Sequence, residues 1–323
     1  MPSLRARVLN AAIRWKIRRL DWGDEARLAA RARRVFGLPP WARRLWSSGV
    51  TVDLVDAPIA GEWVKPPSPR RGALLFFHGG GYVAGSAADH RAMTAGLARR
   101  TGLAVFAPEY RLAPEHRFPA ASDDALAAYR WVLDQACEAA EVVVAGDSAG
   151  GGLALATLVA ARDQGWPLPA CALLFSPWVD LSASSASVRT MDGRCHMFRS
   201  PNIAAFASAY LGTNDPRDPR ASPLNAELQG LPPLLIQVAE TELLVDEARS
   251  LHAKALAAGV ASRIDVAGDV THVWQMLDGL VPEATAAMDA AAAFVCAHLD
   301  RAHTGVAANS PLSSVSRSAM DPS

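Results

Sequence analysis

The sequence predicts an α/β fold in which helices cover both faces of a mostly parallel sheet. Short apolar runs without polar alternation indicate strands that are buried on both faces; they lie at 73–77, 104–108, 142–146, 172–176 and 234–239. Helical patterns separate these runs and lie at 89–100, 120–135, 149–164 and 247–258. Because strands and helices alternate, we expect right-handed crossovers between parallel strands.

Three segments depart from this alternation. Residues 51–55 and 61–64 favour an antiparallel opening of the sheet, and 262–266 is the last predicted strand. The segment from about 180 to 223 is too long for a simple connection and contains its own predicted helix near 203–211. Insertions of this length are usually functional, so we expect a lid over the sheet.

The first 50 residues differ from the rest in charge. They hold twelve Arg and Lys residues against three acidic residues, a local charge of +9, so the remaining chain carries −9. Between these cations, apolar residues recur at helical spacing, at Leu4, Val8, Ala11, Ala12 and Trp15. We expect a helix whose arginines face water; weak contact with an anionic membrane surface is the alternative.

Composition argues against several classes of protein. The net charge of zero argues against nucleic acid as a partner. No apolar run reaches the roughly 20 residues of a membrane span, and no secretory signal is visible. The cysteines form no CxxC pair, which predicts neither disulfides nor a zinc site and favours the reducing cytoplasm; they are Cys137, Cys171, Cys195 and Cys296.

A candidate nucleophile follows the strand at 142–146. In Gly146-Asp147-Ser148-Ala149-Gly150, two glycines allow a sharp turn between a strand and an alanine-rich helix, which exposes the serine hydroxyl above the sheet. A serine in this context is typical of acyl-transfer hydrolysis, provided that a base lies within hydrogen-bonding distance. A glycine-rich turn with an incidental serine is the structural alternative.

A second glycine-rich motif, His78-Gly79-Gly80-Gly81-Tyr82, follows the strand at 73–77. Glycines let backbone N–H groups approach a substrate closely. We expect an oxyanion hole made by the N–H groups of Gly79 or Gly80, of Gly81 and of Ala149, with His78 and Asp147 as supporting residues. A phosphate-binding loop is disfavoured because the GK[ST] ending of a P-loop is missing.

The base is expected to be His272, which follows the last predicted strand and fits the chain order serine, acid, histidine. We expect His78 to anchor the glycine loop. The remaining histidines are expected to have surface or packing roles, namely His90, His116, His196, His252, His298 and His303.

The acid is less clearly defined by the sequence. Four carboxylates follow the strand at 234–239, namely Glu240, Glu242, Asp246 and Glu247. The last two are expected in the first turn of the next helix, where acids are favourable. Position alone leaves Glu242 and Asp246 as equal candidates.

From about residue 49 to 299 the chain resembles the hormone-sensitive-lipase-like branch of the α/β-hydrolases. The HGGG loop, the GDSAGG turn and the segments 110–115 and 118–120 carry the resemblance. Segments 176–180, 215–219 and 272–275 look most like monoterpene ε-lactone hydrolases and acetyl-ester hydrolases. The family's acid lies four residues before an aspartate, which implies Glu242 in Glu242-Leu243-Leu244-Val245-Asp246.

The resemblance also implies an α/β-hydrolase fold with a helical cap. We expect N-terminal cap helices at 1–45, a catalytic domain at 46–302 with a cap insertion at about 180–223, and a disordered tail at 303–323 rich in Ser, Ala and Pro. Two departures from the family lie where substrate shape could be recognised. They are Cys195-His196 in the insertion and Gly268-Asp269-Val270 before the base.

The sequence therefore predicts a serine hydrolase without cofactor or metal. We expect short- to medium-chain acyl esters as substrates, and lactones are the alternative because their hydrolysis uses the same chemistry. A non-catalytic binding protein of the same fold is a remote alternative, since all three triad candidates are present. Whether the chain forms a homodimer is left open.

Overall fold

The computed structural model describes residues 2–135 and 138–304. Its centre is an eight-stranded sheet with the order β1-β2-β4-β3-β5-β6-β7-β8. Strand β2 pairs antiparallel with β1 and with β4, and all other pairs are parallel. The strands are β1 Thr51–Val55, β2 Gly61–Lys65, β3 Ala73–Phe77, β4 Ala104–Pro108, β5 Val142–Asp147, β6 Cys171–Phe175, β7 Leu234–Ala239 and β8 Ser262–Ala267.

The predicted α/β-hydrolase fold is confirmed, and the apolar runs become strands because they are covered on both faces. Every residue of β3, β5, β6 and β7 is buried. The edge strands β1 and β8 contain exposed residues, which explains their more polar sequences. The predicted strand boundaries differ from the observed ones by no more than one residue.

Two apolar layers enclose the sheet. One packs residues of α5 and α6, such as Tyr129 and Leu155, against it, together with Leu251 of α9. The other contains Met93 of α4 and Val295 of α10. These helices are α4 Arg91–Thr101, α5 Ala120–Gln135, α6 Ala149–Asp163, α9 Val245–Ala257 and α10 Pro282–Thr304.

Five further helices lie in the N-terminal segment and in the insertion. They are α1 Leu4–Lys16, α2 Glu25–Phe36, α3 Pro40–Trp46, α7 Ala186–Thr190 and α8 Ser200–Leu211. Helix α2 contacts α8, and Trp22, just before α2, meets Phe206 edge to face at 5.3 Å. The two segments that interrupt the α/β alternation therefore pack on each other, and we propose that they form the cap.

The tail predicted at 303–323 falls almost wholly outside the described residues. Helix α10 continues to Thr304, so the predicted start of the tail overlaps its end. No helix of the described part of the chain is both long and apolar enough to cross a membrane.

Candidate active site

Ser148 occupies a sharp turn between β5 and α6. Its backbone angles are φ 52° and ψ −121°, a conformation that L-residues rarely adopt. A Cβ at Gly146 would lie 2.2 Å from the Gly150 carbonyl oxygen, and one at Gly150 would lie 2.1 Å from that of Phe77. Side chains at either position would therefore push the turn apart, which is why both positions are glycine.

Three side chains from three strand ends form a continuous chain of hydrogen bonds. His272 Nε2 lies 2.9 Å from Ser148 Oγ. His272 Nδ1 lies 2.5 Å from Glu242 Oε2. The imidazole is 5% exposed and the glutamate 1% exposed, so water screens their interaction little. The arrangement permits proton transfer from the serine hydroxyl to a ring that a carboxylate orients.

Glu242 is itself held in place. Its Oε1 accepts hydrogen bonds from the backbone N–H of Ala239 at 2.8 Å and from Ser176 Oγ at 2.7 Å. Ser176 Oγ in turn accepts from the N–H of Val273, beside His272, at 3.2 Å. No role was predicted for Ser176 from the sequence. The one sequence feature that could have indicated a role for Ser176 is its position at the end of β6, at the same sheet edge as Ser148.

The other carboxylates after β7 face elsewhere. Asp246 accepts a hydrogen bond from the N–H of Ser187 at 2.9 Å, in the insertion. Glu240 lies 3.6 Å from Arg194. Glu247 is buried and accepts from the N–H of Val179 at 2.9 Å; burial raises the pKa of Glu247 well above its ordinary value. Of the two residues that position alone could not separate, Glu242 is the one that contacts the imidazole.

The HGGG loop lies beside Ser148, and its backbone N–H groups differ in whether they are free to bind an oxyanion. The Gly79 N–H donates to Asp147 Oδ1 at 2.9 Å, so it is already occupied. Within the described residues, the N–H groups of Gly80, Gly81 and Ala149 donate to no acceptor. Gly80 and Gly81 have φ values of 125° and 63°, which favour glycine. Of the predicted donors, the geometry therefore favours Gly80 over Gly79.

His78 and Asp147 both form hydrogen bonds with Gly79 of this loop. His78 Nδ1 lies 2.9 Å from the Gly79 carbonyl oxygen, and Tyr110 stacks on the His78 ring at 4.2 Å. Burial, and secondarily the charge of His90, lowers the pKa of His78 to about 4. His78 is therefore neutral at neutral pH and acts as a structural hydrogen-bonding group.

His90, for which a surface or packing role was expected, lies close to Ser148. It is buried, lines the cavity above Ser148, and its Nε2 lies 3.5 Å from Asp147 Oδ1. Burial is the largest single influence and lowers the pKa of His90, but the charge and hydrogen bond of Asp147, the Ser86 carbonyl oxygen and Asp89 together raise that pKa above its ordinary value. Asp147 thus lies between the Gly79 N–H and the His90 imidazole and contacts both.

The cavity above Ser148 holds about 180 Å³ of space and is mostly apolar. It receives Ile13 from α1, Phe36 from α2, and Phe198 and Phe206 from the insertion. The Phe198 ring meets the His272 ring edge to face at 5.4 Å. The N-terminal helices and the insertion therefore supply the walls that a bound substrate would touch.

The two departures from the family pattern meet in space. His196 Nε2 lies 2.7 Å from Asp269 Oδ1, which joins the insertion to the loop that carries His272. Asn10 of α1 also donates to the Asp269 carbonyl oxygen at 2.8 Å. His196 was expected to have a surface or packing role, whereas it joins two walls of the cavity. Because the two departures are more than 70 residues apart in the sequence, nothing in the sequence indicated that His196 and Asp269 contact each other.

Comparisons with known proteins agree with this architecture. A family profile described as "alpha/beta hydrolase fold" matches residues 74–276. An acetyl-hydrolase of Streptomyces hygroscopicus is 45% identical over 234 residues, which cover 72% of this chain and 78% of that protein. An ethyl acetate hydrolase of Pseudomonas putida is 36% identical over 226 residues, 68% of this chain and 70% of that protein.

Solved structures of esterases also resemble this chain. A crystal structure of an esterase/lipase from an uncultured bacterium superposes with a TM-score of 0.83 at 38% identity, covering 92% of this chain and 99% of that one. An esterase described as a member of the bacterial hormone-sensitive lipase family has a TM-score of 0.83 at 35% identity, covering 93% and 99%. The chain therefore belongs to the hormone-sensitive-lipase branch of the α/β-hydrolase family and is a carboxylic ester hydrolase.

Proposed function

We propose that the protein hydrolyses short- to medium-chain acyl esters through a triad of Ser148, His272 and Glu242. The observation that carries this proposal is the unbroken hydrogen-bond chain from Ser148 Oγ through the imidazole to Glu242, with distances of 2.9 and 2.5 Å. All three residues lie at the carboxyl edge of the sheet, where α/β folds bind their ligands.

In the first half of the reaction, Ser148 Oγ attacks the ester carbonyl carbon while His272 Nε2 takes the hydroxyl proton. Glu242 stabilises the imidazolium that forms. The carbonyl oxygen becomes an oxyanion and accepts hydrogen bonds from the N–H groups of Gly80, Gly81 and Ala149. When the tetrahedral intermediate collapses, the alcohol leaves with the proton from His272, and an acyl ester remains on Ser148.

Water completes the second half of the reaction. His272 removes a proton from a water molecule, whose oxygen attacks the acyl carbon. The second tetrahedral intermediate uses the same N–H donors, and its collapse returns the proton to Ser148 Oγ and releases the carboxylic acid. Both halves require only groups of this chain and water, so we propose a mechanism without metal or cofactor.

The cavity supports a small apolar ester as the substrate. Its volume of about 180 Å³ is below the range of roughly 300–1,000 Å³ that is usual for drug-sized ligands. Relatives named acetyl-hydrolase and ethyl acetate hydrolase also support short acyl groups. A lactone would undergo the same steps and keep its alcohol attached to its acyl group. Rates for acyl esters of graded length and lactones of graded ring size distinguish the two substrate classes.

Replacement of the serine tests the proposed mechanism. Ser148→Ala is expected to lower kcat for p-nitrophenyl butyrate by roughly 10⁶-fold, the scale seen when a triad serine is removed. A melting temperature close to that of the wild type shows that the variant is folded. A folded variant with more than a tenth of wild-type kcat would contradict the proposal and leave a binding protein with incidental hydrolysis as the alternative.

A further inference from the structure

Helix α1 turns one face toward the protein and presents an apolar face on the opposite side. Its inner face turns Ala6, Asn10 and Ile13 toward the protein, and Ile13 reaches the cavity above Ser148. The outer face consists of Leu4, Val8, Ala11 and Trp15, which recur on one side because an α-helix has 3.6 residues per turn. On this outer face Leu4, Val8 and Trp15 are 73%, 60% and 68% exposed.

The outer face is presented by a firmly attached helix. At its start, Ser3 Oγ donates to Glu283 of α10 at 2.9 Å. In the middle, Asn10 holds the Asp269 carbonyl oxygen, and at the end Arg14 donates to the Gly193 carbonyl oxygen at 2.7 Å. Because these bonds involve the inner face and the flanks, the three large apolar side chains of the outer face remain directed at solvent.

Cations border the outer face on both sides. Arg5 and Lys16 lie along one flank and Arg7 and Arg14 along the other, and α1 has no acidic residue. Within the described residues, Arg5, Arg7 and Lys16 form no ion pair. An apolar stripe between rows of cations matches the interfacial plane of an anionic bilayer, where apolar side chains enter the acyl region and cations meet the headgroups.

A second copy of the chain matches this surface less well. In a two-fold dimer each patch faces itself, so the arginine rows of one α1 would meet those of the other without intervening acids. We therefore propose that the outer face of α1 docks on an anionic phospholipid surface. Docking would hold α1, whose Ile13 lines the cavity, at a bilayer in which apolar esters partition; a benefit for substrate supply rests on the proposed function, whereas docking does not.

Co-sedimentation of the full chain with vesicles tests the proposal. Binding is expected to vesicles of phosphatidylcholine mixed with phosphatidylglycerol, and to weaken with rising salt. The triple variant L4Q/V8Q/W15Q is expected to bind at least about tenfold more weakly, because three apolar side chains no longer enter the bilayer. L54Q is the matched control, since Leu54 on β1 is 75% exposed and far from α1 in sequence; it should bind like the wild type.

Hydrolysis of p-nitrophenyl acetate in solution serves as the folding control. The triple variant should retain wild-type activity, so loss of vesicle binding is not confused with loss of structure or with failure of the proposed mechanism. Equal vesicle binding by the wild type and the triple variant would overturn the proposal. So would a wild-type dimer in light scattering that the triple variant converts to a monomer, because a second copy would then cover the face.

Discussion

Ser148 is one of several non-glycine residues that keep a positive φ beside the active site. Ser176 and Val273 have φ values of 44° and 49°, and Tyr82 of the HGGG loop has 64°. Each such conformation costs on the order of 1–3 kcal/mol and persists only when the surroundings impose it. Here hydrogen bonds do so: the Ser148 N–H donates to the Phe175 carbonyl oxygen at 2.8 Å, and Ser176 Oγ contacts Glu242.

At the residue scale, the assignment of the acid gives a direct test. Glu242→Ala is expected to lower kcat about 10³–10⁴-fold, because the imidazole loses its orienting carboxylate. Asp246→Ala removes a contact to Ser187 and should change kcat less than about threefold. Steady-state kinetics with p-nitrophenyl butyrate compare the two variants, and the reverse order of effects would reassign the acid.

Residues that belong to short, recognisable motifs could be predicted from the sequence. Ser148 and the glycines are recognised because a turn after a strand requires them. Ser176 and His90 lack such a signal, since their roles depend on which strand ends and loops become neighbours. Glu242 needed the family pattern, because four carboxylates within eight residues are equivalent until the path of the chain after β7 is known.

At the scale of elements, the contact of His196 with Asp269 ties the insertion to the loop of His272. The next two residues of the insertion, Met197 and Phe198, line the cavity. If the contact between His196 and Asp269 is lost, the cavity wall formed by Met197 and Phe198 can move away from the substrate while the proposed triad stays intact. The effect should therefore fall on substrate binding more than on the chemical step.

His196→Ala is accordingly expected to raise KM for p-nitrophenyl butyrate severalfold and to change kcat by no more than about twofold. His196→Gln retains a hydrogen-bond donor and should restore part of the affinity. His252→Ala is a matched control, because His252 contacts Ser262 on the outer strand β8. A fall in kcat at constant KM would instead place His196 in the chemistry.

Across the whole molecule, the positions of the strands could be predicted from the sequence, but their order in the sheet could not. Burial on both faces makes β3, β5, β6 and β7 visible as apolar runs. Whether β4 lies between β2 and β3 depends on crossovers that leave no local signal. The proposed cap could not be derived from the sequence for a similar reason, because the contact of α2 with α8 joins segments that are far apart in the chain.

The stability of the fold at low pH tests whether the ion pair between α2 and Glu115 contributes to folding. Arg33 of α2 contacts Glu115 at 2.6 Å, and this hydrogen-bonded pair lowers the pKa of Glu115 to about 2. A lowered pKa stabilises the folded state above the unfolded pKa of about 4.3, and that contribution disappears as pH falls toward 2. Both side chains are more than a third exposed, so solvent screening keeps the contribution below about 1 kcal/mol.

Glu115→Gln should therefore lower the melting temperature slightly at pH 6, and the difference from the wild type should shrink between pH 4.5 and pH 3. Glu227→Gln is the control, because the Glu227 carboxylate forms no ion pair within the described residues. Thermal unfolding followed by circular dichroism measures both variants. A difference that grows on acidification would be opposite in sign to the expected effect.

The most direct test of the active site is the labelling of the folded protein with a fluorophosphonate, followed by peptide mass spectrometry. The proposed triad predicts one adduct per chain, on Ser148, and its loss in His272→Ala, because the serine then lacks its base. An enzyme that still hydrolyses esters while Ser148 stays unmodified would contradict the assignment of the nucleophile.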